Sequence, residues 1–178
     1  MSSTPLPRQV DVRKLVAADA EILAREPLRN FTRLVGMLEA SSGDVEVKLH
    51  FHTDESGCKC IDGTVRADVT VLCQRCMQPL QLPIESTFAV AAVWSDDEAG
   101  RLPKHLEPYI VGEGLQDIRD LIEDELILCI PYASYHEQDD CAGNCRSIAT
   151  EIDEEEQTEK PNPFKVLEQL KPGSKLKL

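Results

Sequence analysis

Residues 69–83, VTVLCQRCMQPLQLP, run an alternating strand into Cys73-Gln-Arg-Cys76, turn, and resume alternating at Leu80. Successive side chains of a strand point to opposite faces, so the stretch reads as two antiparallel strands meeting at a CxxC hairpin end. Two thiols separated by two residues face one point when the backbone turns back between them. That is the geometry of a zinc half-site or a redox pair.

The same period continues on both sides. Val45, Val47, Leu49 and Phe51 alternate with Glu46, Lys48 and His50. A second strand, from about Cys60 to Leu72, sets Ile61, Val65, Ala67, Val69 and Val71 against Arg66, Asp68 and Thr70. A third, from Leu80 to Trp94, turns Leu82, Ile84, Phe88, Val90 and Ala92 inward. Three such strands joined by short turns predict an antiparallel meander, packed on one face and wet on the other, with curling towards a barrel left open. His50 and His52 fall on the polar face and read as exposed strand residues, because no acidic or thiol partner sits at ligand spacing in their own run. Cys58 and Cys60 stand at the start of the second strand. About thirteen residues at about 3.3 Å each put them roughly 40 Å from Cys73 and Cys76, so the four do not share a metal.

Helical spacing appears in two places. Leu28, Phe31, Leu34, Val35 and Leu38 follow Pro27 and precede Ser41-Ser42-Gly43, predicting a helix over about 27–40. Arg29 and Arg33 lie one turn apart on its polar side and read as a solvated face, the sharper alternative being contact with an anion or acidic partner. Leu115, Ile118, Leu121, Ile122, Leu126 and Cys129 mark a second buried stripe, ended by Pro131. Asp117, Asp120, Glu123 and Asp124 occupy its polar positions, with Glu125 nearer the edge. They read as a charged solvated face, since no His, Ser or Lys constellation accompanies them to form an acid–base site. Residues 1–10 read as an extended lead-in, Asp11 is placed to cap a brief helix through Leu15 and Val16, Ser95–Glu98 reads as an acidic loop, and Leu106–Val111 as a short strand.

The expected organisation is an α+β core over residues 1–135, an acidic mobile segment over 136–160, and a C-terminal helix with a basic tail over 161–178. Residues 137–159 hold nine acidic side chains against one Arg, a local charge of −8, with few large apolar groups to offset ordering entropy. The whole chain of 178 residues carries −13, which repels phosphate and suits basic protein partners better than naked nucleic acid. Aromatics are only 4%, so the core should be built largely from Val, Leu, Ile and Ala. Seven cysteines, an odd number, and no secretory or membrane-spanning run point to a reducing cytoplasm where thiols stay free or bind metal. Cys73-x2-Cys76 and Cys141-x3-Cys145 together offer four soft ligands, with His136 able to replace one. One zinc joining the hairpin end to the acidic segment and a set of free thiols are the two readings this leaves. A thioredoxin-type redox role fits less well, because its CxxC opens a helix.

LCQRCMQPL (72–80), LPKHLEPYIV (102–111), DLIEDELILCIP (120–131) with His136 and Cys141 after it, and KPNPFKVLEQLK (160–171) resemble, in that order, the YceD family of bacterial proteins. The resemblance spans nearly the whole chain. It implies a cytoplasmic role in the production or accumulation of large-subunit (23S) ribosomal RNA, with no catalytic activity or catalytic residue. Cys73, Cys76 and Cys141 with its preceding His136 match the family motif, whereas the resemblance implies a counterpart of Cys145 in only some relatives. Glu125 matches an acidic position of the family helix, to which no chemistry is assigned. The partner implied by charge is a basic ribosomal protein or large-subunit assembly factor. Direct contact with ribosomal RNA would need the Arg29/Arg33 face or the tail with Lys171, Lys175 and Lys177. A zinc-stabilised adaptor and an RNA-maturing hydrolase are the remaining alternatives, the latter resting on the helix carboxylates alone.

Overall fold

The computed structural model describes residues 4–112, 114–137 and 141. By its contacts the chain divides into two units, Met1–Ala142 and Gly143–Leu178. The expected C-terminal helix, Cys145 and the lysines of the tail lie outside the described residues, as does most of the acidic segment.

The sheet has five strands in chain order: β1 (Glu21–Pro27), β2 (Asp44–Thr53), β3 (Lys59–Leu72), β4 (Pro79–Val93) and β5 (Glu107–Ile110). The β2–β3–β4 meander is the one the alternation predicts, with Val47 opposite Val65, Phe51 opposite Ile61, and Val69 opposite Leu82. Two features differ from expectation. β1 adds a strand antiparallel to β2 at one edge, and β5 pairs with β4 in parallel, so the sheet is not a pure meander. β1 and β5 do not pair with each other, and the sheet stays open.

Helices cover the inner face. α1 (Val12–Ala17) starts where Asp11 accepts from the Lys14 amide at 3.2 Å, as the sequence suggested. The helix expected over 27–40 is instead a 3-10 turn, Leu28–Asn30, followed by the single turn α2 (Thr32–Val35). Ser95 caps a short helix, α3 (Asp96–Ala99), where a loop was expected. The main helix, α4, is Arg119–Cys129. Leu115 lies ahead of it and is exposed, so it does not belong to the buried stripe. Ile130 turns extended at the helix end, as a residue before proline prefers. The core joins Leu28, Phe31 and Leu34 to the inward residues of β2–β4 and to Ile118, Ile122 and Leu126. Gly63 lies under the Phe88 ring, where an added Cβ would fall 2.1 Å from the ring carbon Cζ.

One acidic residue is misplaced by the solvated-face reading. Glu123 is 5% exposed, and its Oε1 accepts from the Arg33 amide at 2.6 Å and the Leu34 amide at 3.0 Å. No side chain of the residue before α2 caps that turn, so a carboxylate from ninety residues away does it. Glu125 also faces inward, accepting from the Ser86 hydroxyl at 2.8 Å.

Candidate metal centre

The β3–β4 hairpin turns through Cys73–Gln78. The Cys73 amide donates to the Gln78 carbonyl at 3.0 Å, and the Met77 amide to the Cys73 carbonyl at 2.9 Å. Met77 closes the turn with φ +57°, a left-handed conformation unusual for a residue with a long side chain. Arg75 and Gln74, between the thiols, grip the chain that follows α4. The Gln74 amide donates to the Ser134 carbonyl at 2.9 Å, its side-chain amide to the Tyr132 carbonyl at 3.2 Å, and the Arg75 guanidinium to the His136 carbonyl at 2.8 Å. These bonds deliver His136 to the thiols.

The result is a cluster of Cys73, Cys76, His136 and Cys141, one donor atom from each lying within 4.8 Å of all the others. The three thiols are buried and unbridged. Cys73 and Cys141 sulfurs are 3.8 Å apart, and Cys76 Sγ is 3.3 Å from His136 Nδ1. Around a tetrahedral zinc with Zn–S of about 2.3 Å and Zn–N of about 2.0–2.1 Å, two sulfurs stand about 3.8 Å apart and a sulfur and a nitrogen about 3.5 Å. The donor set therefore fits zinc in element, and these two separations match it in spacing. The imidazole is oriented for the task. Nε2 sits 3.0 Å from the Pro79 carbonyl, so it carries the proton there and leaves Nδ1 with a lone pair towards the thiols.

The electrostatics favour negative sulfur at Cys73. Burial opposes charge on Cys73, but backbone amides of Cys76, His136 and Arg75 outweigh it and bring its pKa down to about 5. Cys76 moves the other way, to about 11, pushed by burial and by the neighbouring thiols. Contact with the Cys73 sulfur raises the His136 pKa against the cost of burial. The Arg75 Nε donates to Cys141 Sγ at 3.2 Å, placing a positive group beside the sulfurs. A bound divalent cation would hold all three thiols as thiolates.

Of the residues singled out in the sequence, four thus converge. Arg33 does not present a free cation: its guanidinium meets Glu123 at 2.9 Å, Asp124 at 2.6 Å and the Asp120 carbonyl at 3.2 Å, while Arg29 is exposed. Arg33 stays half exposed, as a solvated face requires, with its charge met by carboxylates of α4. Arg75 was missed, although a cation placed between two thiols was signal enough. Cys58 and Cys60 sit at the far end of β3, as strand length required.

The family model for the large ribosomal RNA subunit accumulation protein YceD matches residues 61–171, which include every member of the cluster. The chain belongs to the YceD family. The large ribosomal RNA subunit accumulation protein YceD of Haemophilus influenzae is 31% identical to it over 172 residues, covering 96% of this chain and 99% of that protein. No solved structure matches. The YceD description names the accumulation of an RNA rather than a reaction. Among the described residues no helix is long and apolar enough to cross a membrane.

Proposed function

We propose that this protein is a non-enzymatic, cytoplasmic ribosome-biogenesis factor that supports accumulation of large-subunit (23S) ribosomal RNA through basic protein partners, with one zinc held by Cys73, Cys76, His136 and Cys141. Likeness to a YceD protein along almost the whole chain carries the biological role. The net charge of −13 supports the choice of partner, since long-range attraction speeds encounters with basic ribosomal proteins or assembly factors and disfavours bare phosphate. The zinc supports the hairpin end, tying it to the chain after α4 and contributing folding free energy directly.

Depletion of the protein, with 23S and 16S ribosomal RNA quantified side by side, tests the role. A selective fall in 23S RNA is expected, and an unchanged ratio overturns it. Capture of large-subunit proteins by the tagged chain across a salt series tests the route. Binding should weaken steeply as salt rises. Retention of RNA that survives removal of protein and is lost on charge reversal of Arg29 or of Lys171, Lys175 and Lys177 would replace the protein route by direct RNA contact.

A further inference from the structure

A second set of ligands assembles on the outer face of the sheet, about 36 Å of strand away from the thiol hairpin if β3 is measured from Asp62 to Cys73 at about 3.3 Å per residue. His50 and His52 alternate on β2, so both stand on one face, and their rings stack with centroids 4.9 Å apart and planes 15° from parallel. Asp62 lies directly opposite His50 in the β2–β3 register. Its carboxylate is 3.1 Å from His52 Nε2, and the Asp19 carboxylate is 3.2 Å from His50 Nε2. The absence of a ligand-spaced acid within the run of His50 and His52 is thus made good by the neighbouring strand.

We propose that His50, His52 and Asp62 form a binding site for a borderline divalent cation of the Zn2+ or Co2+ kind, independent of the thiol cluster and of the function proposed above. Three observations carry it. One donor atom from each residue lies within 4.8 Å of the others, a separation that small side-chain rotations reduce to the spread around a single ion. Two imidazoles and a carboxylate, with no sulfur, are the donor chemistry such ions accept, water completing the shell on the open side. The ligands also stand on two adjacent hydrogen-bonded strands, which fix their spacing more firmly than loops do. A bound cation takes both rings neutral and meets the Asp62 carboxylate. Asp19, against His50, then orients that ring from outside the ion's shell.

The test is a Zn2+ titration of the full chain, followed by NMR of the ring resonances of its four histidines and by native mass spectrometry. The His50 and His52 rings should shift together on binding one ion, in the wild-type protein and equally in the Cys73→Ser variant. The double variant His50→Gln/His52→Gln should lose that ion while the His136 response persists, and Asp62→Asn should weaken it about 10- to 100-fold. Shifts confined to His136, or an unchanged zinc count in the double variant, overturn the proposal. Coupled shifts of His50 and His52 with no zinc on the thiols would support it while overturning the thiol-bound zinc.

Discussion

Replacing Glu123 by Ala removes the acceptor that Arg33 and Leu34 amides share at 2.6 and 3.0 Å. Leu34 is fully buried and its amide would have no substitute, whereas water can reach the half-exposed Arg33. A hydrogen bond to a charged acceptor contributes about 1.5–3 kcal/mol, and loss of a helix cap costs about 0.5–2 kcal/mol. The exposed side of the Arg33 ion pair adds little, because solvent screens it. Glu123→Ala should therefore destabilise the fold by about 2–4 kcal/mol. Glu123→Gln keeps a neutral acceptor for the amides and should cost about half as much. Urea denaturation at neutral pH measures both, and the transition slope should stay constant if only stability changes. A Glu123→Ala variant within about 0.5 kcal/mol of wild type, or a Gln variant as damaged as the Ala variant, would refute the view that the carboxylate caps α2.

Protein purified without chelator should carry zinc that is lost in Cys73→Ser and in His136→Ala, as read by elemental analysis; a metal content unaffected by either change would move the ion elsewhere. Met77→Gly should stabilise the hairpin end by about 1 kcal/mol, since φ +57° costs a non-glycine residue about that much, and thermal unfolding of the two proteins compares them. Gly63→Ala should cost about 1–3 kcal/mol by forcing the Phe88 ring aside, and Phe88→Leu in the same chain should recover part of the loss. Hydrogen bonds from the Arg119 guanidinium, against a cost of burial, hold the Asp117 pKa below the ordinary carboxylate value. That contribution is present above the unfolded value, about 3.9, and is lost as pH falls through the folded one. Asp117→Asn should flatten the acid limb of the stability profile, and an unchanged limb would remove this pair from the acid response.

The meander was legible because burial alternates along β2 and most of β3, breaking down only at Cys60–Ile61 and at the end of β4, and strand register then follows from the turns. β1 was not legible: it is an edge strand with Leu23 exposed and Glu26 buried, so its pattern carries no clear alternation of apolar and polar residues. Residues 27–40 read as one helix because Leu28, Phe31 and Leu34 recur every three residues, a spacing that a 3-10 turn and one α-turn satisfy equally well. Cys73 and Cys76 announced themselves by spacing. Cys141 and His136 were candidates by spacing and donor type, but their approach to the hairpin needed the structure, since what draws that chain in is the grip of Gln74 and Arg75 on backbone carbonyls. Glu123 and Asp62 failed the sequence reading for one reason. Each owes its role to a partner on another element, and local spacing cannot distinguish such a carboxylate from one in water.

The sheet order repeats the chain order, and this bears on how the protein folds. Each of the first three pairings joins neighbouring strands, so β2, β3 and β4 assemble with little loop-closure entropy. The contact of α2 with Glu123 spans ninety residues, so its larger loop-closure entropy is expected to make it a late contact. Loss of that carboxylate should therefore leave the folding rate nearly unchanged and speed unfolding, while truncation of Val65 or Leu49 in the meander should slow folding itself.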